Sequence, residues 1–117
     1  MFLLQPNLAS AADRNMAAYA HVFPDGTLDA NNSKNVTKMA GANGLYCFKL
    51  TFKPKTVVAT LADDPTGGGI RAAYIAAAVP PTEPFVCSAL PEANGYVATY
   101  DQSQSRGGYA FYVYWAR

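Results

Sequence analysis

From Met16 onward, short runs of apolar and β-branched residues alternate with turn residues at intervals of roughly 8–12 positions. That spacing predicts strands joined by turns, not helices. Met16–Phe23 is the first run. It closes at Pro24-Asp25-Gly26, where proline presets φ and glycine tolerates positive φ. Thr27–Asp29 is a short second run, ended by Ala30-Asn31-Asn32-Ser33. Val36–Met39 is a third, ended by Gly41-Ala42-Asn43-Gly44, in which Asn43-Gly44 suits a tight hairpin.

Leu45–Phe52 has the clearest alternation. Tyr46, Phe48 and Leu50 share one face, and Leu45, Cys47 and Lys49 the other. Thr56–Ala62 follows Pro54 and is rich in β-branched residues. Asp63-Asp64-Pro65-Thr66-Gly67-Gly68-Gly69 reads as a long turn, and Ile70–Val79 as a strand of small residues. Pro80-Pro81-Thr82-Glu83-Pro84 breaks any ladder and leaves Phe85–Ser88 as a brief edge segment. Gly95–Asp101 and Tyr109–Ala116 are the last strands, separated by Gln102–Gly108. Together these give about eight or nine strands in one all-β domain, residues 16–117. The expected architecture is an antiparallel β-sandwich of jelly-roll or Greek-key type. Residues 1–15 stand apart. Met1-Phe2-Leu3-Leu4 is apolar but lacks a basic leader, so the segment reads as an N-terminal arm or short helix that docks on a neighbour. A truncated signal peptide ending near Ala9-Ser10-Ala11 is the alternative.

Composition narrows the function classes. A chain of 117 residues buries about two-thirds of its surface in one core. Half of it is hydrophobic and 15% is charged, which excludes a disordered chain. A net charge of +1 offers no electrostatic footprint for nucleic acid. No apolar run reaches the length of a membrane-spanning helix, so no membrane insertion is expected. One histidine and two cysteines exclude a His/Cys zinc site within one chain, and no cofactor is implied. Cys47 and Cys87, the only two cysteines of a small β domain, suggest one disulfide and an oxidising compartment. Two buried free thiols in a reducing compartment are the alternative.

Several stretches stand in a recurring order: Ala20-His21-Val22-Phe23-Pro24-Asp25-Gly26-Thr27-Leu28, Ser33-Lys34-Asn35-Val36, Gly44-Leu45-Tyr46-Cys47-Phe48, and Phe52-Lys53-Pro54-Lys55-Thr56-Val57-Val58-Ala59-Thr60. Cys87, Thr99-Tyr100-Asp101 and Phe111-Tyr112-Val113 continue it. Over residues 17–115 the chain resembles a small all-β module common in secreted proteins of actinobacteria, similar to domains at the ends of phage and surface fibres. The resemblance implies a structural role and supplies no catalytic residues. It also implies an extracellular, cell-surface or virion location. The absent leader departs from a secreted pattern and leaves room for a particle protein released by lysis.

Candidate chemistry is sparse. His21 would need a nearby nucleophile to act as a base, and no Gly-x-Ser-x-Gly elbow exists, so a half-exposed strand histidine is expected. Gly67-Gly68-Gly69-Ile70-Arg71 lacks the spacing of a phosphate loop. Asp63 and Asp64, or Asp25, Asp29 and Asn31, offer oxygen ligands but match no calcium loop, and Asx-rich turns account for them. Glu83 and Glu92 lie near prolines, with no placed second carboxylate for glycoside hydrolysis. Asn31-Asn32-Ser33 and Asn35-Val36-Thr37 match the N-glycosylation pattern.

The aromatic distribution is more informative. Tyr109, Phe111, Val113 and Trp115 fall on one face of the last strand, and Ala110, Tyr112, Tyr114 and Ala116 on the other. Tyr96, Ala98 and Tyr100 oppose Val97, Thr99 and Asp101 in the preceding strand. A lone sandwich buries one face per sheet, so a tyrosine-rich second face suggests a cover, the alternative being a solvated face on which β-propensity alone places tyrosines. The expected function is therefore non-catalytic: a structural or adhesive module, with Tyr19, Tyr100, Tyr112 and Tyr114 contacting like subunits or a particle or surface partner. A carbohydrate-binding module is the alternative, and a small hydrolase built on His21 a more distant one.

Overall fold

Among the described residues, seven strands carry the expected alternation into two layers. A computed structural model of the chain describes residues 16–42, 44–62, 74–78, 87–100 and 107–117. The strands are β1 (Ala17–Val22), β2 (Val36–Ala42), β3 (Leu45–Leu50), β4 (Thr56–Leu61), β5 (Tyr74–Ala78), β6 (Gly95–Tyr100) and β7 (Phe111–Ala116). They form two antiparallel sheets, ordered β1-β7-β4 and β2-β3-β6-β5. The β2–β3 and β5–β6 pairs lie within one sheet, while every other consecutive pair crosses between the sheets. This is the antiparallel β-sandwich anticipated from the sequence.

The inner faces meet in one core. β3 contributes Tyr46, Phe48 and Leu50, β6 Val97, β1 Ala18, Ala20 and Val22, and β7 Phe111, Val113 and Trp115. The Phe48 and Trp115 rings pack edge to face at 4.9 Å, as aromatic quadrupoles favour. Tyr46 and Phe111 pack at the same separation, 4.9 Å, tilted.

Some boundaries differ from the sequence reading. Thr27–Asp29 is not a strand: Leu28 makes a single bridge to Val22, and Ala30–Asn32 coils into a 3-10 turn. Asp29 accepts bonds from this turn, so the local polar side chains outcompete a ladder. β2 runs through Gly41 to Ala42, beyond the expected end at Met39. Cys87 and Ser88 lie outside any strand, while Phe85 and Val86 lie outside the described residues. So do the arm 1–15, the Asp63–Gly69 turn, both ends of the Ile70–Val79 run, and Glu83.

Gly44, at the β2–β3 hairpin, has φ +86°, a conformation that L side chains rarely adopt. A Cβ there would stand 2.6 Å from the Gly107 amide nitrogen and 2.7 Å from the Thr99 carbonyl oxygen. Gly44→Ala is therefore expected to cost about 2 kcal/mol or more, from left-handed strain plus the clash. A urea midpoint matching the parent would contradict it.

Candidate binding face

The two outer faces of the sandwich end differently. Over β2-β3-β6-β5 the 87–94 segment covers part of the sheet. Cys47, Ala78, Leu90, Tyr96 and Ala98 form a second buried cluster, packed against Ala40, Leu45, Cys87, Ala93 and Tyr100. Cys47 and Cys87 form a disulfide with a Cα separation of 6.3 Å, within the ordinary range. Asn94 fastens the far end of this cover. Its Oδ1 accepts from the Leu50 amide at 2.8 Å, its Nδ2 donates to the Phe52 carbonyl at 3.0 Å, and its own amide donates to Phe48 at 2.9 Å. The Tyr96 hydroxyl donates to the Ala93 carbonyl at 2.9 Å, and Lys38 pairs with Glu92 at 3.2 Å.

Over β1-β7-β4 the outward residues form three cross-strand rows: Ala17–Ala116–Thr56, Tyr19–Tyr114–Val58 and His21–Tyr112–Thr60. Ala17 is already buried, and Tyr19 and Tyr114 are half-buried. Tyr112 is 49% exposed and Val58 67%. The other exposed large hydrophobic side chains among the described residues, Met16 and Phe23, flank the two ends of β1. A shallow apolar depression of about 160 Å³ lies among Tyr19, Val58, Thr60, Tyr112 and Tyr114. That is smaller than the 300–1,000 Å³ typical of small-molecule pockets, as suits a flat contact surface.

His21 borders this face. Its ring stacks on Tyr112 at 4.4 Å, with Phe23 edge-on at 5.1 Å. Nδ1 donates to Asp29 Oδ2 at 2.9 Å, which fixes the ring. Asn32 Nδ2 donates to the same oxygen at 2.8 Å. The Asn32 bond and then the His21 bond hold the Asp29 carboxyl below the usual range. Ser33 Oγ donates to the Asp29 carbonyl and accepts from the His21 amide, so it serves the backbone and makes no bond to the imidazole. Asp25 is likewise spent on its turn, accepting from the Thr27 hydroxyl at 2.7 Å and the Thr27 amide at 3.0 Å, which lower its pKa. Asn35 Nδ2 donates to the Ala17 carbonyl at 2.9 Å. Among the described residues no three metal-ligating side chains converge.

The structure thus brings Tyr19, Tyr112 and Tyr114 together on one face and places Tyr100 on the other sheet, beside the disulfide-tied cover. Sequence reasoning missed Asn94, whose only advance signal was its position just before a strand. Gly67, Gly68, Gly69, Asp63 and Asp64 lie outside the described residues. Comparison with protein-family models, curated proteins and solved structures finds no match to this chain.

Proposed function

We propose that this chain is a non-catalytic structural or adhesive module whose working surface is the outer face of β1-β7-β4. One observation carries this reading. The exposed large hydrophobics of the described residues gather on or beside that sheet, while on the opposite sheet the 87–94 segment packs against Cys47, Tyr96 and Ala98. Tyrosine suits such a role, because it buries a large area and keeps a polar tip. The partner in this reading is a protein surface, of like subunits or of a particle or cell coat, in an extracytoplasmic setting. The disulfide fits that setting. Among the described residues no helix is long and apolar enough to cross a membrane.

The double variant Tyr112→Ser, Tyr114→Ser is expected to fold, since Tyr112 is half-exposed and neither tyrosine belongs to the main core. It should lose association, read by light scattering as a mass that no longer rises with concentration. A folded double variant that associates like the parent defeats the reading. Glycan-array binding by the parent, lost in the same variant, would assign the face to a sugar instead.

A further inference from the structure

We infer that the Cys47–Cys87 disulfide is a clasp that a low-molecular-weight thiol opens in the folded protein, by attack on Cys87. The cover then loosens from its Cys87 end while Asn94 keeps the other end in place. This holds whatever the β1-β7-β4 face binds.

The two sulfurs are placed unequally. Cys47 is 1% exposed and sits within β3, paired with Ala40 of β2 on one side and Tyr96 of β6 on the other. Cys87 is half-buried, lies outside any strand and is followed by exposed Ser88 and Ala89. A groove of about 170 Å³ reaches the disulfide, lined by Ala40, Gly41, Ser88 and Ala89 as well as both cysteines. Its walls are mostly small side chains, so a small thiol can enter.

A thiolate must approach the sulfur it attacks from the side opposite the departing one. At 1% exposure Cys47 offers no such approach, whereas Cys87 is open on its loop side. Leaving-group strength pulls the other way, since a solvated Cys87 would depart more readily than a Cys47 among apolar neighbours. Access decides, because an attack that cannot reach its sulfur gains nothing from a good leaving group.

The chemistry is thiol–disulfide exchange. The incoming thiolate forms a bond to Cys87 Sγ as the Cys47–Cys87 bond breaks. The electron pair leaves on Cys47 Sγ, which takes a proton from water. A second thiolate attacks the outer sulfur of the mixed disulfide and expels Cys87 as a thiolate. Two small thiols are thereby oxidised to one disulfide, and the cystine is reduced to two thiols.

The cover is anchored unevenly. At the Cys87 end the Leu90 amide donates to the Cys87 carbonyl at 3.3 Å, a bond within the cover that fastens nothing to the sheet. At the other end Asn94 bonds to Phe48, Leu50 and Phe52, and Glu92 pairs with Lys38 of β2.

The test treats the folded full chain with 2-mercaptoethanol, short of complete reduction. Acid stops the reaction, and the free thiol is alkylated in denaturant before peptide mapping. The adduct is expected on Cys87 and the alkyl group on Cys47, in at least about tenfold excess over the reverse. Ser88→Lys should speed opening and Ser88→Glu slow it, each by about two- to fivefold, since the attacker is an anion and residue 88 is exposed beside its target. In the fully reduced chain, hydrogen exchange should quicken at the Leu90 amide and stay slow at the Leu50 amide. An adduct on Cys47, or one shared evenly, overturns the assignment of Cys87. Opening that rises with urea in step with global unfolding overturns the clasp, which would then open only in the unfolded chain. Unchanged exchange at Leu90 overturns the loosening, and Leu50 exchanging as fast as Leu90 overturns the anchor at Asn94.

Discussion

Trp115→Ala is expected to cost about 3–5 kcal/mol of folding stability and to lower the thermal midpoint by roughly 10–25 °C. Trp115 is fully buried on β7, the middle strand of its sheet, where neighbours on both sides limit collapse around a cavity. Its ring packs on Phe48 and lies against Gly95, where an added Cβ would stand 2.8 Å from Nε1. Gly95 is thus the space in which the indole fits. Among the described residues the buried indole N–H meets no hydrogen-bond acceptor. An orphan donor costs about 1–3 kcal/mol, so Trp115→Phe removes a penalty along with some packing and should be far milder than Trp115→Ala. Calorimetry on both variants decides it. Equal losses would show that the N–H is satisfied and that the space beside Gly95 contributes nothing distinctive.

Removing the disulfide is expected to have an effect of similar size. Cys47 and Cys87 are 40 residues apart, and closing a loop of that length stabilises by about 4 kcal/mol in the chain-entropy account. Cys87 also packs against the cluster that holds Tyr96 and Ala98. Cys47→Ala, Cys87→Ala should therefore lower the urea midpoint and expose this second cluster to hydrophobic dyes, whereas Trp115→Ala disturbs the main core. Non-reducing peptide mapping should recover the Cys47–Cys87 linkage. A variant as stable as the parent would mean that Asn94 and the Tyr96 hydroxyl hold the cover unaided.

Much of this architecture was legible from alternation. The period of two in Tyr46-Phe48-Leu50 and Phe111-Val113-Trp115 reports burial on one side, and those residues line the core. The assignment of each strand to a sheet was not legible, because it depends on contacts remote in sequence. Tyr100 and Tyr112 read alike as outward tyrosines, yet they stand on opposite sides of the sandwich. The cover at 87–94 was also hidden. Irregular chain has no period, and its anchors are single atoms of Asn94 and a hydroxyl of Tyr96. At Thr27–Asp29 the β-like run gave way to side-chain bonds onto Asp29 that no propensity records.

The cystine-tied flap has a consequence for growth. A building block with two sticky sides stacks without limit and ends as a fibre. Here the 87–94 segment stoppers Cys47, Tyr96 and Ala98 on one side, so under the proposed reading reducing the cystine is expected to add a second sticky side to the first.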